Sequence, residues 1–402
     1  MRPSPEEIEE KRRQRQLKKA QAAANAPQKP LEYIQRPFLQ GKPRPDDKLL
    51  IRVMSYNVLA QALVRRHLFP TSGTAIKWLY RGPVIADEVK HYDCDVICFQ
   101  EVDVGSTLID SMNKLGYVTK FHSHPQKRHG QLIAFKKLLF KADSCRFLDY
   151  DEDKEIEGTV ITQNVGQIIE LKFTDDITKQ YEYLQLRRLL IGTTHLYWHP
   201  YGCFERTRQT AIAKQAMVDF ERDLRLIDPS ISYYKIFAGD FNLEPFDPPY
   251  MGLVQKPFDD EGLRLLKRSV NHFCNRINQD KEDEEPVYRE PSDPQYRDVE
   301  PLIEAVKEAH FGLTKPKLTS AYSSYVSVDP DNSQVNGEPP YSNWAHAWRG
   351  LLDYIFLFNS SDITVCELLK MPTKKELGDA GLPQKGKYPS DHLCIAATLC
   401  LQ

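Results

Sequence analysis

The chain is expected to fold as an α/β protein with mixed or antiparallel sheets, and three features of its 402 residues carry that expectation. Short runs rich in β-branched and aromatic residues recur along it. Longer stretches of helical character separate some of these runs but not others. The spacing is irregular, which argues against a regular βαβ array and for strands of both directions. Hydrophobic residues make up 41% of the chain, enough to build one large core.

At the N-terminus, Ser4, Pro5 and Glu7 have the pattern of a helix start, with Ser4 as cap and Glu7 closing a capping box. Glu7 with Lys11 and Glu9 with Arg13 are spaced for ion pairs along that helix. The basic run 11–19 lacks an apolar stripe and reads as a solvated tail or, alternatively, as a non-specific RNA arm or nuclear address. A proline-rich linker over 26–46 follows, so 1–48 is expected as a flexible tail ahead of a folded domain spanning 49–402. Strands are expected at 50–56, 95–101, 131–135, 166–173, 189–196, 234–239, 353–358 and 392–399, and helices at 75–92, 106–115, 204–226 and 299–309. Two acidic, proline-bearing stretches, 278–298 and 329–340, read as mobile surface insertions.

The formal net charge of -2 excludes a uniformly basic surface, so any nucleic-acid affinity needs a local basic groove. Eight cysteines form no CxxC pair, and Cys94, Cys98, Cys394 and Cys400 sit in apolar runs. They read as buried small hydrophobes in a reducing compartment rather than as disulfides or zinc ligands. No run is long enough to span a membrane and no secretory signal is visible, so an intracellular protein is expected, in cytoplasm or nucleus, the nucleolus included.

The chemistry concentrates where apolar runs end. Ile236-Phe237-Ala238-Gly239-Asp240-Phe241-Asn242 sets a carboxylate and an amide two residues apart after a glycine, which is expected to turn the backbone and lift both into a cleft. Ser55-Tyr56-Asn57, Phe99-Gln100-Glu101, Thr193-Thr194-His195 and Leu352-Asp353-Tyr354-Ile355 obey the same grammar, and Ser390-Asp391-His392 joins them. Any one of these could be a turn cap. Together they supply hard oxygen ligands for a divalent metal, amides for phosphate oxygens and histidines for proton work.

In this order, with His129-Gly130-Gln131 between the second and third, these motifs resemble the endonuclease/exonuclease/phosphatase superfamily from about Leu49 to the end. Asn57-Val58-Leu59-Ala60 and His195-Leu196-Tyr197-Trp198-His199-Pro200 are similar to the branch holding the Ccr–Not deadenylase, nocturnin and Angel proteins. Leu59-Ala60-Gln61-Ala62-Leu63 and Trp348-Arg349-Gly350-Leu351-Leu352-Asp353-Tyr354 look most like fungal Ngl-type RNA exonucleases. The resemblance implies a four-layer α/β sandwich, two mixed sheets packed between helices.

It also implies roles. Glu101 would hold Mg²⁺, or Mn²⁺, with Asn57 supporting the metal and its waters. Asp240 would orient or deprotonate the attacking water and Asn242 would hold the scissile phosphate. His392 would stabilise developing charge, with Asp353 fixing its tautomer, Asp391 near the metal and His195 on a phosphate oxygen. Pro200 and Trp348 match positions flanking a terminal adenine, and Arg349 places a cation beside a ring. Trp344 and Trp198 are assigned to packing. Lys127 and Arg128, with Arg206 and Arg208, read as a phosphate track or as solvated charge. Two departures stand out: Leu59 replaces a second acid found in some members, and His129 replaces the aspartate common in deadenylases.

The activity so implied is a Mg²⁺-dependent 3′-to-5′ RNA exonuclease releasing 5′-nucleotides, a monomer acting on RNA 3′ ends such as poly(A) or pre-rRNA. A nucleotide or RNA-terminal phosphatase is the rival. A catalytically silent RNA-binding module is disfavoured because every motif acid is present. No leucine-rich repeat precedes the motifs, so docking to Ccr–Not by the usual route is not expected.

Overall fold

Inner-facing apolar residues on alternate strand positions dictate the architecture. The computed structural model describes residues 31–278, 285–358 and 361–402; the expected N-terminal helix and its basic run lie outside these. Residues Tyr33–Gln402 form one compact unit. Its strands, in chain order, are β1 (Phe38–Gln40), β2 (Leu50–Asn57), β3 (Val96–Asp103), β4 (Tyr117–His122), β5 (His129–Lys136), β6 (Phe140–Asp149), β7 (Val165–Phe173) and β8 (Arg187–His195). Then follow β9 (Ser232–Asp240), β10 (Thr319–Ser320), β11 (Asn343–Trp344), β12 (Arg349–Gly350), β13 (Asp353–Leu357), β14 (Ile363–Leu369) and β15 (Ile395–Leu401). One sheet runs β1-β14-β15-β2-β3-β5-β4 and the other β10-β13-β9-β8-β7-β6, with β11 and β12 as a separate pair. Both large sheets are mixed: β2 with β3 and β8 with β9 are parallel and the other pairs antiparallel.

The two sheets pack face to face. In β2, Ile51 and Val53 point into the inter-sheet core together with Val96 and Cys98 of β3 and Ile191, Ile236 and Ile355 of the other sheet. The alternate residues Met54, Tyr56, Ile97 and Phe99 face outward onto the helices Trp78–Tyr92 and Thr107–Lys114. On the second sheet, Leu190, Phe237 and Tyr354 face the helix Cys203–Ile227 through Met217 and Phe220. The period of two thus sorts each strand between a sheet–sheet and a sheet–helix interface, and the result is the expected four-layer α/β sandwich.

The structure departs from expectation at several places. Within the stretch read as linker, Phe38–Gln40 adds to the sheet edge against Leu369, Leu368 and Glu367, and Arg36 is buried with its guanidinium donating to the Cys394 and Lys370 carbonyls. A three-residue strand between prolines carries too short an apolar pattern to read. Strands β4, β6 and β14 and the helix Asp260–Cys274 were not anticipated: β6 and the helix expose one face, which dilutes the apolar signal, while Thr119 and Lys120 in β4 and Thr364 and Glu367 in β14 interrupt it. The last strand begins at Ile395 rather than at 392, leaving His392 in the approach to it. Among the described residues the cysteines are free; Cys145 is exposed, and the four in apolar runs are buried. No described helix is long and apolar enough to cross a membrane.

The stretch 329–340 is anchored rather than mobile. Asn332 is buried and donates to the Met371 carbonyl, and Glu338 is buried against the Tyr250 hydroxyl, which donates to it at 2.8 Å. Burial pushes the Glu338 carboxyl from 4.5 up to about 7, although Tyr250 and Ser320 oppose the shift. A carboxyl raised on folding stabilises fully when protonated in both states and loses that contribution as pH rises through the folded value. Stability is therefore expected to fall by roughly 3 kcal/mol between pH 4.5 and about pH 8 from this group. Glu338→Gln should flatten that part of the curve; urea midpoints at pH 5 and pH 8 that differ as much in the variant as in the parent would remove Glu338 from the account.

Candidate active site

Extending the inner-face parity to the strand ends assembles the site. Residues 51 and 53 of β2 continue to Ser55 and Asn57, 189 and 191 of β8 to Thr193 and His195, and 236 and 238 of β9 to Asp240. Asp353 opens β13 on the same face as Ile355 and Leu357. Register then lines up the second sheet's polar residues, since Asp240 pairs with both His195 and Asp353 on neighbouring strands. A polar belt separates them from the core: Gln100 Nε2 donates to Thr193 Oγ1 at 3.1 Å across the sheets. Asn57, Glu101, His195 and Asp240 all stand at the carboxyl ends of the parallel pairs, where open α/β sheets gather ligands.

Two backbone features aim the side chains. The β3–β5 register shifts between Phe99 and Val102, and Glu101 there takes φ +56°. This left-handed bulge breaks the alternation and turns the carboxylate inward. Asn242 takes φ +49°, so the turn lies at Asn242 and not at Gly239, as was expected. Gly239 is needed instead for close strand approach, because a Cβ there would lie 2.3 Å from the Thr194 carbonyl oxygen of β8.

Asn57 ties the two acids together. Its Nδ2 donates to Glu101 Oε1 at 3.1 Å and to Asp240 Oδ2 at 2.8 Å, and its Oδ1 accepts from the Leu59 amide. Glu101 Oε2 accepts from the Ala60 amide at 2.9 Å. Burial would raise the Glu101 carboxyl, but His195, His129 and these hydrogen bonds outweigh it and hold the pKa below the usual range. An ionised carboxylate, fixed by two donors and bordering the cavity, suits a hard divalent cation, and Asn57 orients it.

Asp240 is 1% exposed. Its Oδ1 accepts from the Asn242 amide, while Oδ2 lies 3.5 Å from His195 Nε2 and 3.6 Å from His392 Nε2. His392 Nδ1 meets Asp353 Oδ2 at 2.8 Å, and that oxygen also accepts from the Ser342 hydroxyl at 2.6 Å. Burial alone would lower the His392 pKa, yet Asp353 and Asp240 beside it raise it well above 6.5. Asp240, Asp353 and His392 offer ligand atoms within 4.8 Å of one another. A cationic imidazole already bound to Asp353 makes this trio an ion-pair network rather than a metal site.

A cavity of about 650 Å³ opens above these groups; Glu101, His195, Asp240, Asn242 and His392 line it, with Lys127 on one wall. Burial lowers the Lys127 ammonium to about 8 and the His129 imidazole, also on the wall, to about 4, so His129 is neutral at pH 7. Asp391 is buried beneath the lining, and burial pushes its carboxyl up to about 6.

Pro200, Trp348 and Arg349 do not line the cavity. Trp348 is 51% exposed elsewhere, and Arg349 stacks on Trp344, 4.3 Å from its ring, while donating to the Ala345 and Asp379 carbonyls. Trp344 is core, as expected, but Trp198 is 68% exposed and lines the cavity. Arg206 and Arg208 are internal, spent on the Tyr197, His199 and Ile156 carbonyls, so neither belongs to a phosphate track. Ser342, which orders Asp353, was not foreseen; no local pattern marks it.

The model of the endonuclease/exonuclease/phosphatase family matches residues 54–392. The chain belongs to that family. RNA exonuclease NGL2 of Saccharomyces cerevisiae is 33% identical over 424 residues, covering 92% of this chain and 82% of that protein. A probable RNA exonuclease of Schizosaccharomyces pombe is 31% identical, covering 98% of this chain and 88% of that one. Among solved structures, ANGEL2, a 2′,3′-cyclic phosphatase in complex with adenosine-2′,3′-vanadate, shares the fold with a TM-score of 0.67 at 23% identity over 92% of this chain and 99% of that chain. Enzymes of the endonuclease/exonuclease/phosphatase family are metal-dependent, and this member is a phosphoester hydrolase.

Proposed function

We propose that the chain is a Mg²⁺-dependent 3′-to-5′ RNA exonuclease that releases 5′-nucleotides, with Mn²⁺ as a substitute ion. The observation that carries this reading is the shape of the site: the catalytic cavity shares Ala62, Lys127 and Arg128 with a second depression beyond it, so the two make a groove suited to a polymer. The RNA exonucleases similar to this chain support RNA as that polymer. Poly(A) tails and pre-rRNA 3′ ends, in cytoplasm or nucleus, are the substrates this reading favours.

Glu101, oriented by Asn57, would hold the ion, whose positive charge would oppose the negative charge that builds on the phosphoryl oxygens. Asp240 takes the proton of the attacking water. Cationic His392, kept charged by Asp353, faces the developing charge, and His195 contacts a phosphate oxygen. Asn242 spends one amide hydrogen on the Leu196 carbonyl at 2.9 Å, leaving the other for the scissile phosphate.

The test is incubation of purified protein with 5′-labelled RNAs bearing A-tails, U-tails or a 3′-phosphate, with Mg²⁺, Mn²⁺ or chelator. A ladder shortening from the 3′ end in the presence of metal is expected. Release of phosphate without shortening would replace the exonuclease by an RNA-terminal phosphatase.

A further inference from the structure

The groove is asymmetric, and the asymmetry orients a bound strand. Trp198, Asn164, Leu196 and Asn242 line the catalytic cavity and none of them borders the second depression. Lys127 and Arg128 border both. On the first side the wall carries the indole of Trp198, a residue 68% exposed, whose ring is tilted at 53° to the His199 ring rather than stacked on it. On the second, the Lys127 ammonium and Arg128 guanidinium have no hydrogen bond or ion pair with any described residue, which leaves both cations for a ligand. An enzyme that removes one terminal nucleotide at a time needs a stop for the terminal base and an exit for the rest of the chain.

We infer that the terminal base stacks on Trp198 and that the RNA chain leaves over the sill of Lys127 and Arg128, which hold the next phosphodiester as the chain enters the second depression. This rests on the exonuclease reading and deepens it. Base stacking tolerates any base, so Trp198 serves every substrate equally, whereas the sill acts only on chains long enough to place a second phosphodiester there. A dinucleotide has one phosphodiester, at the reacting centre, and gains nothing from the sill; a trinucleotide does.

The experiment compares kcat/KM for ApA, ApApA and ApApApA, lacking terminal phosphates, in Mg²⁺. In the parent enzyme kcat/KM is expected to rise about tenfold from two to three nucleotides and little beyond. The double variant Lys127→Gln, Arg128→Gln should bring the three-to-two ratio close to one. Trp198→Ala should lower kcat/KM about tenfold at every length, through KM, with Trp198→Tyr restoring most of it. A parent enzyme that shortens RNA without any gain from length overturns the inference alone, as does a length gain that survives the double variant. Loss in Trp198→Ala confined to the longer substrates reverses the assigned direction and also overturns it. A parent enzyme that cleaves no RNA at all overturns the exonuclease reading together with this one.

Discussion

Asp240→Asn is expected to lower Mg²⁺-dependent phosphoester hydrolysis by about 10³-fold while leaving a folded protein. The substitution keeps the shape and one of the two hydrogen bonds: Oδ1 still accepts from the Asn242 amide. It removes the carboxylate that stands about 3.5 Å from both His195 and His392, and an amide cannot take a proton from water. It also places an NH₂ group where Asn57 Nδ2 donates, a clash of donors. Such a clash costs about 1 to 3 kcal/mol, a few degrees in melting temperature for a chain this long. Glu101→Ala should be as inactive for a different reason, loss of the ionised metal holder, and added Mn²⁺ should not restore it. Single-turnover rates beside melting curves separate chemistry from folding; more than a tenth of parental rate in Asp240→Asn would sink the assignment of the base.

Much of this site was legible because one rule governs both core and chemistry. The parity that buries Ile51, Val53, Ile191, Ile236 and Ile355 between the sheets also places Asn57, His195 and Asp240 two steps after, and Asp353 one step before, an inward isoleucine or valine on the same face. Alternation is local, so it can be read along a strand. Register is not local: that Asp353 stands opposite Asp240, or that Ser342 reaches Asp353, depends on pairings between segments more than ten to a hundred residues apart.

The misplaced residues share a physical cause as well. Trp198 is large and apolar, and composition favours burying it, whereas the place given to Trp348 beside a base rests on the resemblance alone. Tertiary context exposes both and puts only Trp198 beside the acids. Arg206 and Arg208 look like solvated charge in sequence, yet they sit on the buried face of a long helix, where Arg206 donates to backbone carbonyls and Arg208 to the Ile156 carbonyl beside Glu205. Gly239 was placed rightly and explained wrongly. A glycine before a polar residue reads as a turn, but the need for one here comes from a neighbouring strand's carbonyl that no sequence window contains.

Asp353→Asn should cost about 10³-fold in kcat at pH 8 and much less at pH 6, and the dependence on pH is the informative part. In the parent, Asp353 and Asp240 raise the His392 pKa well above 6.5, so the imidazole keeps its proton across the neutral range and imposes no alkaline limb there. Removing the Asp353 charge and its hydrogen bond leaves Asp240 and Asp391 to oppose burial, which lowers the imidazole pKa from its raised parental position. A step that needs the imidazolium then fails progressively as pH rises through the lowered value. The side chain's Oδ1 is buried without a partner, so rotating the new amide to keep its oxygen on His392 leaves an NH₂ unpaired and adds about 1 to 3 kcal/mol of instability, which is independent of pH in this range. The two effects remain separable: kcat acquires an alkaline limb absent from the parent, whereas the melting temperature, which also loses the stabilisation that the raised imidazole gives below its folded pKa, falls more at pH 6 than at pH 8. Identical pH profiles for the two proteins would show that His392 does not act as a cation held by Asp353.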